Sequence, residues 1–396
     1  MRNLAPESEH FQHFFEEVRE DFWEGLYRRT KEAWKKFFDA ESERDRDRYC
    51  GLGWYERGNE SKTDYRNGYY ERDWVTRFGT IRLRIARTRG KNFLPKGLRR
   101  FQRRADEMSL LIREAFLRGI STRQVGRVVA LLTEEPVSAQ TVSQLTRDLD
   151  GAVQEFHRAP LGDNWKFLFL DGVSLKVRGV AGRKRVHMLV AYGIKPDGTR
   201  QLLAFMRSQG ESQQAWEGFL ENLYQRGLEG DNLRLIVTDG CPGLRAALQR
   251  IYPRVAHQRC WVHKMRNLVE GTRKRDRDEV KEAAQAIYTA SSRKQAEMAF
   301  RALKLRWRKE YPALVKRLEK DLPQLLAFFT LPQPLWKKLR TTNVIERCFV
   351  EVRRRTRPMV CFVNVKSVDR IIFSIFNRFN LEWKHKRTLR AFTQAA

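Results

Sequence analysis

The sequence predicts an α/β protein built around one central sheet, and two observations support this fold class. The first lies between residues 165 and 260, where the apolar runs WKFLFLDGV, HMLVAYGI, RQLLAFMR and NLRLIVTDG are spaced by turns and by amphipathic stretches such as ESQQAWEGFLENLYQRG. The predicted order is strand, strand, strand, helix, strand, helix, with RVAHQRCW as a last short strand. A three-strand meander followed by helix–strand units matches a ribonuclease H-like core.

The second observation is a long stretch without strand character. Residues 264–335 are charged and rich in Ala, Arg, Lys and Glu, which predicts helices. A further helix is expected to begin near Asn343, and a closing helix is expected over residues 366–384. We therefore predict a core in two parts, residues 161–263 and 336–396, interrupted by an all-helical insertion.

The N-terminal residues 1–95 are predicted to form a helix followed by a small β region. Apolar residues recur close to every 3.6 positions over residues 10–49, which predicts a helix, and the run SERDRDRY is expected to break it. The later segment RNGYYERDWVTRFGTIRLRIARTRG alternates apolar and basic residues, as a strand with one apolar face does. Its arginine face either lies along a phosphate backbone or is simply solvated. Turns are expected at Gly68, Gly79 and Gly90.

Residues 96–160 are predicted to form a helix-turn-helix-like unit. Three short helices are expected, over Met108–Leu117 and in the segments ISTRQVGRVVALL and SAQTVSQLTRDLD, with Ser121 and Ser138 as N-caps of the second and third. In such a unit the third helix presents polar side chains to base edges. The candidates here are Gln140, Thr141 and Gln144. The alternative is a plain helical hairpin.

The charge balance indicates a polyanionic partner. The chain has 78 Lys and Arg against 48 Asp and Glu, a formal net charge of +30. So large a surplus repels itself unless a polyanion neutralises it, and nucleic acid is the usual partner because binding releases condensed counterions. The alternatives are a basic protein of a low-salt niche and a protein that binds anionic membranes or acidic proteins.

Several classes of protein are disfavoured by what the sequence lacks. No apolar run approaches the length of a membrane span and the N-terminus is polar, so the protein is expected to stay in the cytoplasm, on the nucleoid if bacterial. Its five cysteines are irregularly spaced, which favours reduced thiols over a disulfide framework. No phosphate-binding glycine motif is present, so no nucleotide cofactor is expected.

Three carboxylates are candidates for catalysis. Asp171 and Asp239 each follow a wholly apolar strand and precede Gly. Two such carboxylates on neighbouring strands would repel each other, and divalent Mg²⁺ would resolve this. Glu346, on a helix after the core, would complete a site for two ions. The alternatives are Asp-Gly turns for the two Asp residues, and for Glu346 a capping box with Asn343.

The stretch HQRCWVH contains His257, Cys260 and His263. Its spacing suggests a zinc site, but a structural zinc needs four ligands, and only Cys241 is an obvious neighbour to complete the set. Local packing or DNA positioning by Cys260 and His263 is the alternative. Trp261 either stacks on a base or is buried.

From about residue 60 to its end, the chain resembles the Mutator-type transposases of bacterial insertion sequences. The resemblance is carried by RNGYYERDWVTRFGTIRLRIARTRG, GISTRQV, FLFLDGVSLKVR, ESQQAWEGFLENLYQRGL, VTDGCPGL, QRCWVHKMRNL and TTNVIERCFVEVRRRTRPM. One stretch departs from the family, which usually has a Gly-Phe-Pro-like segment where this chain reads MVCFVN (359–364).

The resemblance implies roles for particular residues. The family's catalytic triad falls on Asp171, Asp239 and Glu346, and its Cys-x-x-His signature falls on Cys260 and His263, in or just before the helical insertion.

Further positions are candidates for binding DNA. Arg178 and Arg347 match basic positions near the family's active site, and Asn343 matches its Asn ahead of the Glu. Arg353 and Arg354, in the basic run after the Glu helix, complete the set.

The activity implied is that of a DDE-type transposase with two Mg²⁺ (or Mn²⁺) ions. It would bind the terminal inverted repeats of its own element through the N-terminal regions, nick DNA at the element ends and join the freed 3′-OH to target DNA. Because two ends must be held together, a dimer or larger assembly is expected on DNA. The alternatives are a domesticated, catalytically silent DNA-binding protein and a ribonuclease H-fold nuclease.

Overall fold

The chain divides into two compact units, Met1–Arg147 and Asp148–Ala396. The computed structural model describes residues 24–51, 63–90, 92–100, 102–117, 120, 122–133, 137–147, 149–179, 182–356 and 365–385. The elements of the first unit are α1 (Glu24–Cys50), β1 (Arg66–Thr76), β2 (Gly79–Thr88), α2 (Asp106–Leu117), α3 (Thr122–Thr133) and α4 (Ala139–Arg147).

Helix α1 continues through the run SERDRDRY, so the predicted break is wrong. The reason is tertiary, because polar side chains of this run bind the β region that follows. Ser42 Oγ accepts a hydrogen bond of 2.9 Å from Ala86 N, and Asp47 pairs with Arg66 at 3.0 Å. Packing against the β region thus retains a helix that composition alone disfavours. The first residues of the predicted helix, 10–23, lie outside the described residues.

Strands β1 and β2 form an antiparallel hairpin. Along β2, Ile81, Leu83 and Ile85 are buried while the intervening arginines are exposed, which confirms the predicted amphipathic strand. Gly79 has a φ of 104° beside the turn, as predicted. Gly68 lies inside β1 at a register irregularity, so its assignment to a turn is wrong and its φ of 65° belongs to a bulge.

Helices α2, α3 and α4 match the three predicted short helices. Ser138 caps α4 as predicted, because its Oγ accepts from Thr141 N at 3.1 Å. Gln140 and Gln144 are exposed on α4, and Thr141 is half-buried. Ser121, the other predicted cap, lies outside the described residues.

The second unit contains a sheet and a larger set of helices. Its elements are α5 (Leu149–Arg158), β3 (Phe167–Gly179), β4 (Gly182–Ile194), β5 (Arg200–Ser208), α6 (Gln213–Gln225), β6 (Leu235–Thr238), α7 (Pro242–Ile251), β7 (His257–Arg259), α8 (Trp261–Glu270), α9 (Arg277–Thr289), α10 (Arg293–Trp307), α11 (Pro312–Leu325), α12 (Gln333–Leu339), α13 (Asn343–Thr356) and α14 (Val365–His385). The predicted order of strands and helices between residues 165 and 260 is confirmed. Every element that the structure assigns between residues 264 and 335 is a helix. Among the described residues, no helix is both long and apolar enough to cross a bilayer.

The sheet has five strands in the order β5-β4-β3-β6-β7. The first three strands are antiparallel neighbours, and β6 and β7 add in parallel to β3. The prediction that the first strand ends at Asp171 is wrong, because β3 runs on to Gly179 while paired with β4. What ends beside Asp171 is the pairing with β6, whose last pair is Leu170 with Thr238.

Helices cover both faces of this sheet. Leu168 and Leu170 point into a core shared with Trp216 and Phe219 of α6 and with Leu244 of α7. The opposite face packs against α5 and α14.

The acidic residue of β3 belongs to the second face. Asp171 lies in register with Val190, and Val190 with Phe205, whose ring contacts Phe376 of α14. Because side chains alternate along a strand, Asp171 shares its face with Phe205.

Candidate active site

Two carboxylates meet where the parallel pairing of β3 and β6 ends. Asp171 and Asp239 directly follow the last pair, Leu170 with Thr238. Asp171 is 6% exposed and accepts a hydrogen bond of 2.8 Å from Gly172 N. Asp239 Oδ1 accepts one of 2.9 Å from Cys241 N, which fixes the Asp-Gly turn that follows β6. The register of the sheet therefore holds the two groups side by side.

The electrostatics of Asp171 show how closely charge is packed here. Burial is the largest cause that raises the pKa of the Asp171 carboxyl to about 7, and the negative charges of Asp239 and Glu346 act in the same direction, against the opposing effect of His263. A carboxylate this costly to ionise is typical of sites that bind a cation or move a proton.

Glu346 comes to this site on α13, which packs on β3. The helix begins at Asn343, and the carbonyl of Thr342 accepts from Ile345 N at 3.0 Å and from Glu346 N at 3.2 Å. The Glu346 carboxylate lies 3.4 Å from His263 Nε2. Its side chain is thus directed to the acidic site and to His263.

A fourth carboxylate, Glu211, was missed by the sequence reasoning. It lies just before α6, and a Cβ built on Gly172 would be 2.5 Å from Glu211 Oε1. Burial raises the pKa of Glu211, and the charge of Asp239 raises it further, while His187, 3.6 Å away, opposes both. The sequence signal for it is an acidic residue at the junction between β5 and α6, in a segment whose apolar periodicity indicates only a helix.

We expect Glu211→Gln to weaken the binding of a divalent cation without abolishing it. The amide keeps the volume beside Gly172 but removes one negative charge from the cluster, so the affinity for the cation should fall by about tenfold. The measurement is calorimetric titration with Mn²⁺. The matched control is Glu217→Gln in α6, where the half-buried carboxylate pairs with Arg250 at 2.9 Å. Equal behaviour of the two variants would remove Glu211 from the site.

Gly240 is required by the turn that carries Asp239. Its φ is 91°, and a Cβ there would lie 2.0 Å from Arg259 Nε. Only glycine combines this backbone conformation with so close an approach of the Arg259 side chain.

The residues of HQRCWVH are mostly internal. Trp261 is 1% exposed and donates from Nε1 to Leu325 O at 2.8 Å, and Cys260 is fully buried. Both side chains are thus buried, as the packing alternative expects, and contact with DNA stays untested for them. His257 bonds Thr238 Oγ1 at 2.7 Å, and burial lowers its pKa to about 4.

Cys260 and His263 form a polar pair beside the acidic site. The Cys260 thiol is the largest cause that raises the pKa of His263 to about 9, and the charges of Asp171 and Glu346 act with it against burial. Burial raises the pKa of Cys260, but the neighbouring His263 and the hydrogen bonds from Thr342 outweigh burial and lower it.

The remaining DNA-binding candidates are exposed side chains, except for one that lies outside the described residues. Asn343, Arg347, Arg353 and Arg354 are exposed on α13. Arg354 forms an ion pair with Glu351 at 2.7 Å, which partly neutralises the positive charge of its guanidinium. The side chain of Arg178 lies outside the described residues.

The donor set fits hard divalent cations. Among the described residues, no three His, Cys, Asp or Glu side chains already converge in a complete metal-binding group. The carboxylates of Asp171, Asp239, Glu211 and Glu346 nevertheless supply oxygen ligands of the kind that Mg²⁺ and Mn²⁺ prefer. The raised pKa of Asp171, about 7, marks a buried negative charge that a cation would stabilise.

The fold and the site define an α/β protein with a carboxylate cluster at the edge of a parallel strand pair. The model of the Mutator family of transposases matches residues 9–386, so the chain belongs to this family. It is 29% identical to the transposase for insertion sequence element IS905 of Lactococcus lactis over 349 residues, 88% of each chain. It is 32% identical to the ISRM5 transposase of Rhizobium meliloti over 319 residues, 81% of this chain and 80% of the relative. It is also 32% identical to the IS256 transposase of Staphylococcus aureus over 349 residues, 87% of this chain and 88% of the relative.

Proposed function

We propose that this transposase is a DDE enzyme whose catalytic and metal-binding residues are Asp171, Asp239 and Glu346. The observation that carries the proposal is the juxtaposition of Asp171 and Asp239 at the end of the β3–β6 pairing, with Glu346 close enough to raise the pKa of Asp171. Strands and helices in this order, with an antiparallel meander and two parallel additions, support a ribonuclease H-like core. The helices between 264 and 335 then form an insertion within that core.

The partner in this proposal is double-stranded DNA. The N-terminal residues 1–95 and the helix-turn-helix-like residues 96–160 bind the terminal inverted repeats of the element, while the core parts 161–263 and 336–396 receive the scissile strand. The net charge of +30 supports this, because phosphate neutralisation offsets the self-repulsion of the protein. Two ends held together imply a dimer or larger assembly on DNA.

The three proposed ligands come from two kinds of element, a sheet and a helix. Asp171 and Asp239 would bind the cations from the sheet, where the strand register fixes their separation, and Glu346 would bind them from α13, which packs on β3. When bound, a pair of divalent ions activates the attacking oxygen and neutralises charge on the leaving oxygen. The chain then needs no nucleophile of its own, so water serves for nicking and the freed 3′-OH serves for strand transfer at the same site.

The decisive experiment compares the full-length protein with Asp239→Asn on oligonucleotides that carry the element's inverted repeat, with Mn²⁺ or with EDTA. The wild type should nick and join strands only with the cation, and the variant should bind the repeat without nicking. Binding by both proteins without cleavage would instead support the domesticated DNA-binding protein. Hydrolysis without joining would support a nuclease, and equal cleavage by both would remove Asp239 from the site.

A further inference from the structure

The Cys-x-x-His pair has no assigned part in the reaction, yet it lies where the two halves of the core meet. Cys260 directly follows β7. A long helical segment separates it from Thr342, and the helix that carries Glu346 begins directly after Thr342. The site therefore depends on a closure between segments far apart in sequence.

Three hydrogen bonds make this closure, and a fourth holds Cys260 to β6. Cys260 N donates to Thr238 O at 2.7 Å, directly before Asp239, and Trp261 N donates to Arg340 O at 3.0 Å. Thr342 donates twice to Cys260 Sγ, from its N–H at 3.3 Å and from its hydroxyl at 3.4 Å. Cys260 and Thr342 are both fully buried, so no water replaces these bonds.

The same threonine starts the catalytic helix. Its carbonyl accepts from Ile345 N at 3.0 Å and from Glu346 N at 3.2 Å, which are the first bonds of α13. The Cys260 sulfur thus fixes Thr342, the residue whose carbonyl accepts the hydrogen bond from Glu346 N.

The histidine completes the arrangement from one turn further along α8. His263 Nε2 lies 3.4 Å from Glu346 Oε1, so the imidazole faces the carboxylate while the thiol of Cys260 faces the start of its helix. Because Cys260 and His263 are three residues apart on one helical turn, they approach Glu346 together.

We propose that the Cys-x-x-His motif is a positioning clasp. In this clasp Cys260 anchors the start of α13 through Thr342, and His263 orients the Glu346 carboxylate toward Asp171 and Asp239. The inference rests on the proposed function, since it assigns the clasp to the triad. Neither residue touches DNA in this role.

The test combines hydrogen exchange of residues 342–348 in the DNA-free protein with calorimetric titration of Mn²⁺. Cys260→Ala should accelerate exchange in this segment by about tenfold while β3 keeps its protection. The matched control is Cys348→Ala, which removes another buried thiol from α13 but no bond to Thr342. His263→Gln should leave exchange unchanged and weaken Mn²⁺ binding by about tenfold.

A second pair of variants serves if Cys260→Ala does not fold. Thr342→Val removes the hydroxyl donor at nearly constant volume and should accelerate exchange over 342–348, whereas Thr342→Ser should behave as the wild type. The clasp is overturned if Cys260→Ala exchanges like Cys348→Ala, if Thr342→Val matches Thr342→Ser, or if His263→Gln binds Mn²⁺ normally. If the wild type fails to nick DNA but these exchange effects occur, the proposed function fails and the anchoring of α13 stands.

Discussion

Asp171→Asn is expected to reduce nicking and strand transfer by at least about a thousandfold, which corresponds to about 4 kcal/mol of lost transition-state stabilisation. The asparagine oxygen can still accept the hydrogen bond from Gly172 N, so the strand should keep its geometry. What disappears is the negative charge of a buried carboxylate beside Asp239.

The same variant should be more stable than the wild type in EDTA at pH 8. The pKa of Asp171 is raised from 3.8 to about 7 by burial and by Asp239, so the folded state retains a proton that the unfolded chain loses above pH 4. The stability of the cation-free wild type therefore falls as pH rises from about 4 to 7 and stays low above that. Replacing the carboxylate removes the cost of ionising it in the folded state, so the free energy of unfolding at pH 8 should rise by up to about 4 kcal/mol.

Urea unfolding in EDTA at pH 5 and pH 8, with nicking assays on the same preparations, measures both effects. The control is Asp197→Asn in the exposed turn after β4, which should change neither nicking nor the pH dependence. Mn²⁺ should stabilise the wild type at pH 8 and leave Asp171→Asn unchanged. A variant that nicks normally, or that loses stability at pH 8, would contradict the assignment of Asp171.

The central sheet and its acidic residues could be predicted because their signals are local. The run before Asp171 is buried on both faces and therefore apolar without interruption, and the same holds for the strand before Asp239. A carboxylate at the end of such a run stands out. The helix that carries Glu346 was equally visible from its periodicity.

Contacts between distant segments could not be predicted from such patterns. Glu211 faces Gly172 only because the sheet and α6 bring them together, and Thr342 faces Cys260 only because the intervening helices fold back. The same limit explains the charged run that stays helical in α1, where Ser42 is held by Ala86. In each case the partner lies tens of residues away, so the spacing of residue types along the chain does not predict the contact.

A buried charge cluster joins the helical segment to the acidic site. The Oδ2 atom of Asp321 in α11 accepts a hydrogen bond from Lys264 Nζ at 2.6 Å and forms an ion pair with Arg259 Nη1 at 2.5 Å. The Lys264 side chain is 5% exposed and that of Asp321 is 10% exposed. Arg259 in turn lies against Gly240, directly after Asp239. The position of Asp239 is thus linked to a helix that supplies none of the proposed ligands.

Asp321→Ala should therefore destabilise the second unit by about 3–5 kcal/mol, because it leaves two cations buried without their shared partner. Glu319→Ala, on the same helix, removes an exposed partner of Lys304 and should cost less than about 1 kcal/mol. The free energy of unfolding in urea separates the two. Adding Lys264→Met to Asp321→Ala should recover part of the loss, since one uncompensated charge is then gone. If the double variant is no more stable than Asp321→Ala, the loss stems from packing around α11, and the link from Asp321 through Arg259 to Asp239 is not electrostatic.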